Sequence, residues 1–155
     1  MNRKIRTVIY FILVFIITAC QNSIYDKTDK VKNQILPMRE RALLRNKILK
    51  DRFSTVLPQI MRRNKIDMWI IIAREYNEDP IIRTMLPATW LNARRRTILV
   101  VFDPGNKQPL EGYAIARYDV GEIFAKSWDP EKQPDQYAAL SDLIAKKNPN
   151  KIAIN

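Results

Sequence analysis

The chain has 155 residues, 46% of them hydrophobic, with 27 Lys and Arg against 16 Asp and Glu, a formal net charge of +11. That length holds one domain with a modest core, and that apolar content belongs to a globular protein rather than a disordered one. Histidine is absent, Cys20 is the single cysteine, and Gly105, Gly112 and Gly121 are well separated. This excludes Ser-His and Cys-His catalysis, imidazole-based zinc sites, an internal disulfide and a glycine-rich phosphate cradle.

Asn2-Arg3-Lys4-Ile5-Arg6 opens the chain with positive charge, and residues 8–17 form an unbroken apolar run. The run is too short to cross about 30 Å of hydrocarbon as a helix. It suits the h-region of a secretory signal. It closes on Ile17-Thr18-Ala19-Cys20, which resembles the lipobox of bacterial lipoproteins. The resemblance implies a signal peptide over 1–19, cleavage before Cys20 and a lipid on that cysteine. The mature chain is then expected in the bacterial cell envelope, on the periplasmic face or the outer membrane. An ordinary signal peptide with an incidental cysteine and an uncleaved anchor are the alternatives.

Cleavage removes Arg3, Lys4 and Arg6, leaving 24 basic residues against 16 acidic ones, a net +8. The basic residues are spread along the chain without a recognised binding motif, so nucleic acid is not an expected partner. Arg94-Arg95-Arg96 is the densest cluster. It reads as a solvated approach to the strand behind it, or as a contact for anionic lipid or an acidic partner.

Residues 20–36 read as a polar tether. From Met38 onward Leu44, Ile48/Leu49, Phe53, Val56/Leu57 and Ile60/Met61 recur at helical spacing. Pro58 lacks a backbone donor, so the helix should kink or restart near Ser54. An amphipathic helix can lie on a membrane surface, but this one leads directly into a strand and is expected to pack on a sheet. Residues 68–73 are apolar on both faces, as in an interior strand. The charged stretch Arg74-Glu75-Tyr76-Asn77-Glu78-Asp79 follows. Asp79-Pro80 should cap and start a short helix through about Met85. Glu75, Glu78 and Asp79 lack the spacing of a calcium loop, so this stretch reads as a structural corner.

Residues 97–102 predict a second strand, ended by a turn at Asp103-Pro104-Gly105-Asn106. Residues 110–117 and 122–128 predict two more, as an antiparallel meander. Pro134-Asp135 opens a helix with Tyr137, Leu140, Leu143 and Ile144 as its apolar positions. Lys146 and Lys147 suit its C-terminal end, and Asn148-Pro149 stops it. Residues 151–155 begin a last strand. The expected fold class is α/β, a mixed β-sheet with flanking helices in the order α-β-α-β-β-β-α-β. The apolar strand on which the sequence closes reads as part of a longer protein, truncated here.

The helix leading into Ile66-Asp67-Met68-Trp69-Ile70-Ile71-Ile72 resembles the opening of the N-terminal domain of the creatinase/prolidase, or pita-bread, metallopeptidase family. Residues 73–80, Leu86-Pro87-Ala88-Thr89-Trp90 and Arg94-Arg95-Arg96-Thr97-Ile98-Leu99-Val100 are similar to its exported Xaa-Pro aminopeptidase branch, and the likeness covers 37–155. It implies a ribonuclease-H-like, non-catalytic domain placed ahead of a hydrolase domain. Packing against that domain, supporting oligomers and walling the substrate entrance are its implied roles. Two divalent metal ions are implied for the C-terminal domain, held by two aspartates, a histidine and two glutamates. No residue here matches those ligands, so no catalytic, cofactor or metal residue is carried over.

The expected partners are membrane lipid through Cys20, the chain's own C-terminal catalytic domain and a second copy of the chain. Tyr76, Trp90 and Arg94 are the candidate interface residues, with burial in the local core the favoured reading of Trp90. The alternative function is a stand-alone envelope lipoprotein that binds a partner or peptide.

Overall fold

Pro58 shapes the first element. In the computed structural model, which describes residues 35–155, helix α1 (Met38–Asp51) passes through a π-helical turn (Arg52–Val56) into α2 (Leu57–Arg63). Proline has no N–H to continue the regular bonding pattern. The wider turn absorbs the interruption, with the Leu57 N–H donating to the Arg52 carbonyl five residues back. The restart expected near Ser54 is therefore observed. Cys20, the signal segment and most of the expected tether lie outside the described residues.

Leu49, Leu57 and Met61 are buried along this helical run, and Phe53 packs beside them. Leu44, Ile48, Val56 and Ile60 stay exposed. The second member of each expected pair thus faces the core, giving a stripe at every fourth residue. Each buried aliphatic contributes about 1.5–3 kcal/mol of transfer free energy, which fixes the helix on the sheet.

Residues Ala42–Asn155 form one compact unit. Its sheet has the order β4-β3-β2-β1-β5, from β1 (Met68–Arg74), β2 (Arg96–Phe102), β3 (Glu111–Ile115), β4 (Ala125–Lys126) and β5 (Ile152–Ile154). Two further helices complete it, α3 (Pro80–Met85) and α4 (Gln136–Lys147). β1 and β2 pair antiparallel with Met68 opposite Phe102, and β2 and β3 with Ile98 opposite Ile115. β5 lies parallel to β1 with Met68 opposite Ile152.

Side chains alternate across a strand. Ile71 and Ala73 of β1 accordingly join the cluster of Leu49, Leu57 and Met61, while Met68 and Ile70 join Leu140 of α4. The protein is an α/β fold with a five-stranded, mixed, open sheet and flanking helices.

Asp67 sets where β5 joins. Its carboxylate accepts the N–H groups of Asn150 (2.8 Å) and Lys151 (3.1 Å), and its own N–H donates to the Lys151 carbonyl (3.0 Å). At the far end, the Asn155 side chain bonds both the N–H (2.8 Å) and the carbonyl (3.2 Å) of Ile72. The helix before it ends as expected, with Asn148 left-handed at φ 47°.

Two expectations are corrected. The strands after β2 are not a plain meander, because β4 runs parallel to β3 and shrinks to Ala125–Lys126. The chain recrosses β3 first: a Cβ on Gly112 would lie 2.4 Å from the Ile123 carbonyl oxygen, so only glycine admits that crossing. Tyr137 is not a core position of α4. It is exposed, and its ring lies under the Arg96 guanidinium instead.

Candidate functional site

β1 leaves the sheet at Arg74 and turns sharply, with the Asn77 N–H donating to the Arg74 carbonyl (2.9 Å). Tyr76 sits at the turn with φ 67° and is 89% exposed. Glu75 ties this turn to the triple-arginine segment: its N–H donates to the Arg95 carbonyl (2.6 Å), and its carboxylate accepts the Arg95 N–H (3.1 Å). Beneath, the buried Thr97 hydroxyl accepts the Arg94 N–H (3.2 Å) and donates to the Arg94 carbonyl (3.1 Å). The arginines therefore project from a backbone held on both sides.

The facing wall comes from Arg117 and Tyr118 after β3 and from Trp128. Asp135 and Gln136 line it where α4 begins. The Gln136 amide is buried and donates to the carbonyls of Arg96 (3.1 Å) and Ile115 (2.5 Å), joining α4 to the sheet end. Between the walls lies a cleft of about 610 Å³. An adjoining depression lined by Arg74, Glu75 and Tyr76 shares Arg95 and Arg96 with it.

Trp90 and Arg94, two of the three candidates from sequence, line the cleft together, and Tyr76 lines the neighbouring depression. Trp90 is buried, 7% exposed, and belongs to the core cluster. Its ring carries the Arg94 guanidinium at 4.8 Å, a cation–π pair that orients the arginine. Arg117, Tyr118 and Gln136 were not legible as site residues, since no local motif links them to residues 90–97.

Arg94, Arg95, Arg96 and Arg117 make no ion pair with a carboxylate among the described residues. Asp135, the one carboxylate in the cleft lining, is spent on the Tyr137 N–H (2.8 Å) as the α4 cap. With four arginines against that one carboxylate the cleft lining is net positive and has aromatic walls, a setting suited to holding an anion.

A second charged cluster is structural. Glu111 accepts hydrogen bonds from Lys147 and from the Tyr113 hydroxyl, and the Lys147 ammonium sits over the rings of Phe102 (5.1 Å) and Tyr113 (5.0 Å). The bond from Lys147 holds the Glu111 carboxyl below its usual range, and the bond to Glu111 raises the Lys147 ammonium above its own. A lysine held in its charged form is no nucleophile.

The acidic residues after β1 meet different partners, and one carboxylate oxygen of Glu78 is buried without a hydrogen-bond partner among the described residues. Asp79 accepts the Ile81 N–H (2.6 Å), Glu75 binds the Arg95 backbone, and the buried Glu78 carboxylate lies 4.0 Å from the Arg83 guanidinium. Among the described residues no three metal-ligating side chains converge. The dimetal centre implied for the resembled family finds no fitting donor set in them. Asp79→Ala should cost about 1 kcal/mol of stability in urea unfolding, and Asp79→Asn much less, because asparagine keeps the capping oxygen.

No family model matches the chain, and neither does any curated protein or solved structure. Among the described residues no helix is long and apolar enough to cross a membrane.

Proposed function

We propose that the chain is the non-catalytic N-terminal domain of a lipid-anchored metallopeptidase of the Xaa-Pro type, held at a bacterial envelope through a lipid on Cys20. The observation that carries this reading is the β1–β5 edge. Among the described residues β5 pairs on one side only, with β1, and its Ile154 is 65% exposed. On the opposite face Trp69, beside Ala153, lines an apolar groove of about 390 Å³ with Val56, Ile60 and Ile81. Apolar surface on both sides of an open sheet edge suits a companion domain.

The antiparallel β3-β2-β1 run with β5 added parallel to β1 supports the ribonuclease-H-like type. The companion domain would carry both metal ions and their ligands. This chain would supply support, contacts between copies and part of the substrate entrance. The arginine cleft favours a second reading, a stand-alone envelope lipoprotein that binds a partner or peptide.

Fatty-acid labelling in the natural host, followed by immunoprecipitation, tests both. The expected product is a labelled band well above the chain's 18.2 kDa, unlabelled in Cys20→Ala. A labelled band somewhat below 18.2 kDa, the size of the chain without residues 1–19, would select the stand-alone lipoprotein. An unlabelled wild-type band would remove the anchor.

A further inference from the structure

We propose that the arginine cleft is a membrane-docking face that seats the domain on anionic phospholipid. Its chemistry is complementary to such a surface. Arg94, Arg95, Arg96 and Arg117 stand around one opening with no carboxylate ion pair among the described residues. Amphipathic and apolar side chains accompany the charges: Tyr118 lines the cleft, Tyr76 the adjoining depression, and Leu91, next to Trp90, is 87% exposed.

Tyrosine and tryptophan settle at the headgroup level of a bilayer, and arginine meets its phosphates. The depression and the cleft share Arg95 and Arg96, so charge and rings form one face, not two. A chain anchored at Cys20 by a short polar segment would meet lipid continually. That clause rests on the proposed anchor, whereas the face itself does not.

Charge position decides the matter against a mere effect of net charge. Each arginine at an anionic surface is worth about fivefold in partitioning, so losing two weakens it about 25-fold. Arg95 and Arg117 are suitable targets, because their side chains make no hydrogen bond or ring contact among the described residues. Arg63 and Lys65 precede β1 at the opposite end of that strand and serve as the charge-matched control.

The chain from residue 20 onward with Cys20→Ser carries neither a lipid nor the basic and apolar segment over 1–19, so the result is independent of the anchor. A polarity-sensitive fluorophore on Leu91→Cys then reports contact of this face alone. It is mixed with phosphatidylcholine vesicles, with and without phosphatidylglycerol, at low and high salt. The expected result is a blue shift only with the anionic vesicles. High salt and Arg95→Gln/Arg117→Gln should weaken it, and Arg63→Gln/Lys65→Gln should leave it. No shift, an equal shift on neutral vesicles, or equal loss in both double variants would overturn the proposal.

Discussion

Replacing Phe124 with alanine is expected to cost about 3–5 kcal/mol, the full range for deleting a buried phenylalanine ring. The ring is 0% exposed and meets Phe53 of the π-helical turn edge-on, with centroids 5.6 Å apart at 82°. It thereby joins the opening helical run to the segment that leads into β4, within one core cluster on one face of the sheet. On its other flank lies Gly112, where a Cβ would stand only 3.1 Å from the ring. Glycine has no side chain to move into the space the ring would vacate, so the cavity cannot collapse from that direction.

A domain of this size is stable by only about 5–15 kcal/mol, so the loss is a large share of the total. Guanidinium unfolding should show a lower midpoint with an unchanged slope. Phe124→Leu, which keeps most of the volume, should cost about 1–1.5 kcal/mol. A loss under about 1 kcal/mol for the alanine variant, well short of the usual range, would show that the ring does not hold the two parts together.

Features set by near neighbours in the chain were legible. Pro58 removes a donor from its own helix, Asp79 and Asp135 bond N–H groups two residues ahead, and Asn148 takes the left-handed turn that ends α4. Each acts within a few residues, so the sequence shows both partners at once. The direction of β4 was not legible, because it depends on Ile123 passing over Gly112, a contact between segments well apart in the chain.

The site was half legible for the same reason. Trp90 and Arg94 are close in sequence and do meet, whereas Arg117 and Gln136 reach the cleft only through strand pairing and the docking of α4. A glutamine at a helix start ordinarily reads as solvated. Here Gln136 is buried because two strand-end carbonyls lie within reach of its side chain, and one amide can serve both. Tyr137 shows the reverse: its apolar ring suggested the core, but the helix phase that buries Gln136 and Leu140 turns it outward onto Arg96.

Asp103→Asn is expected to destabilise the protein by about 2 kcal/mol at neutral pH, the range for hydrogen bonds to a charged group. Asp103 is 8% exposed and ends β2 at the turn expected there. Arg62 of α2 holds it with two bonds, Nε to Oδ2 at 2.8 Å and a terminal nitrogen to Oδ1 at 3.0 Å, while the Gly105 N–H donates to Oδ1 at 3.0 Å. Asparagine retains one acceptor oxygen and places an N–H₂ group against the guanidinium. Because Arg62 is partly exposed, it can turn to solvent when its partner is lost, which keeps the cost below that of a fully buried pair. The bonds from Arg62 hold the Asp103 carboxyl below its ordinary value, against the opposing effect of burial. A depressed folded value means the stabilisation is complete above the unfolded value, about pH 4. It is lost as pH falls through the lower, folded value. The wild type should therefore shed this contribution in acid, and the asparagine variant, having none to shed, should not. Unfolding of both proteins from neutral pH down to about pH 2 is the measurement, with the stability gap expected to narrow only below about pH 4. A gap of constant size at every pH would show that the carboxylate's charge does not hold α2 to the end of β2.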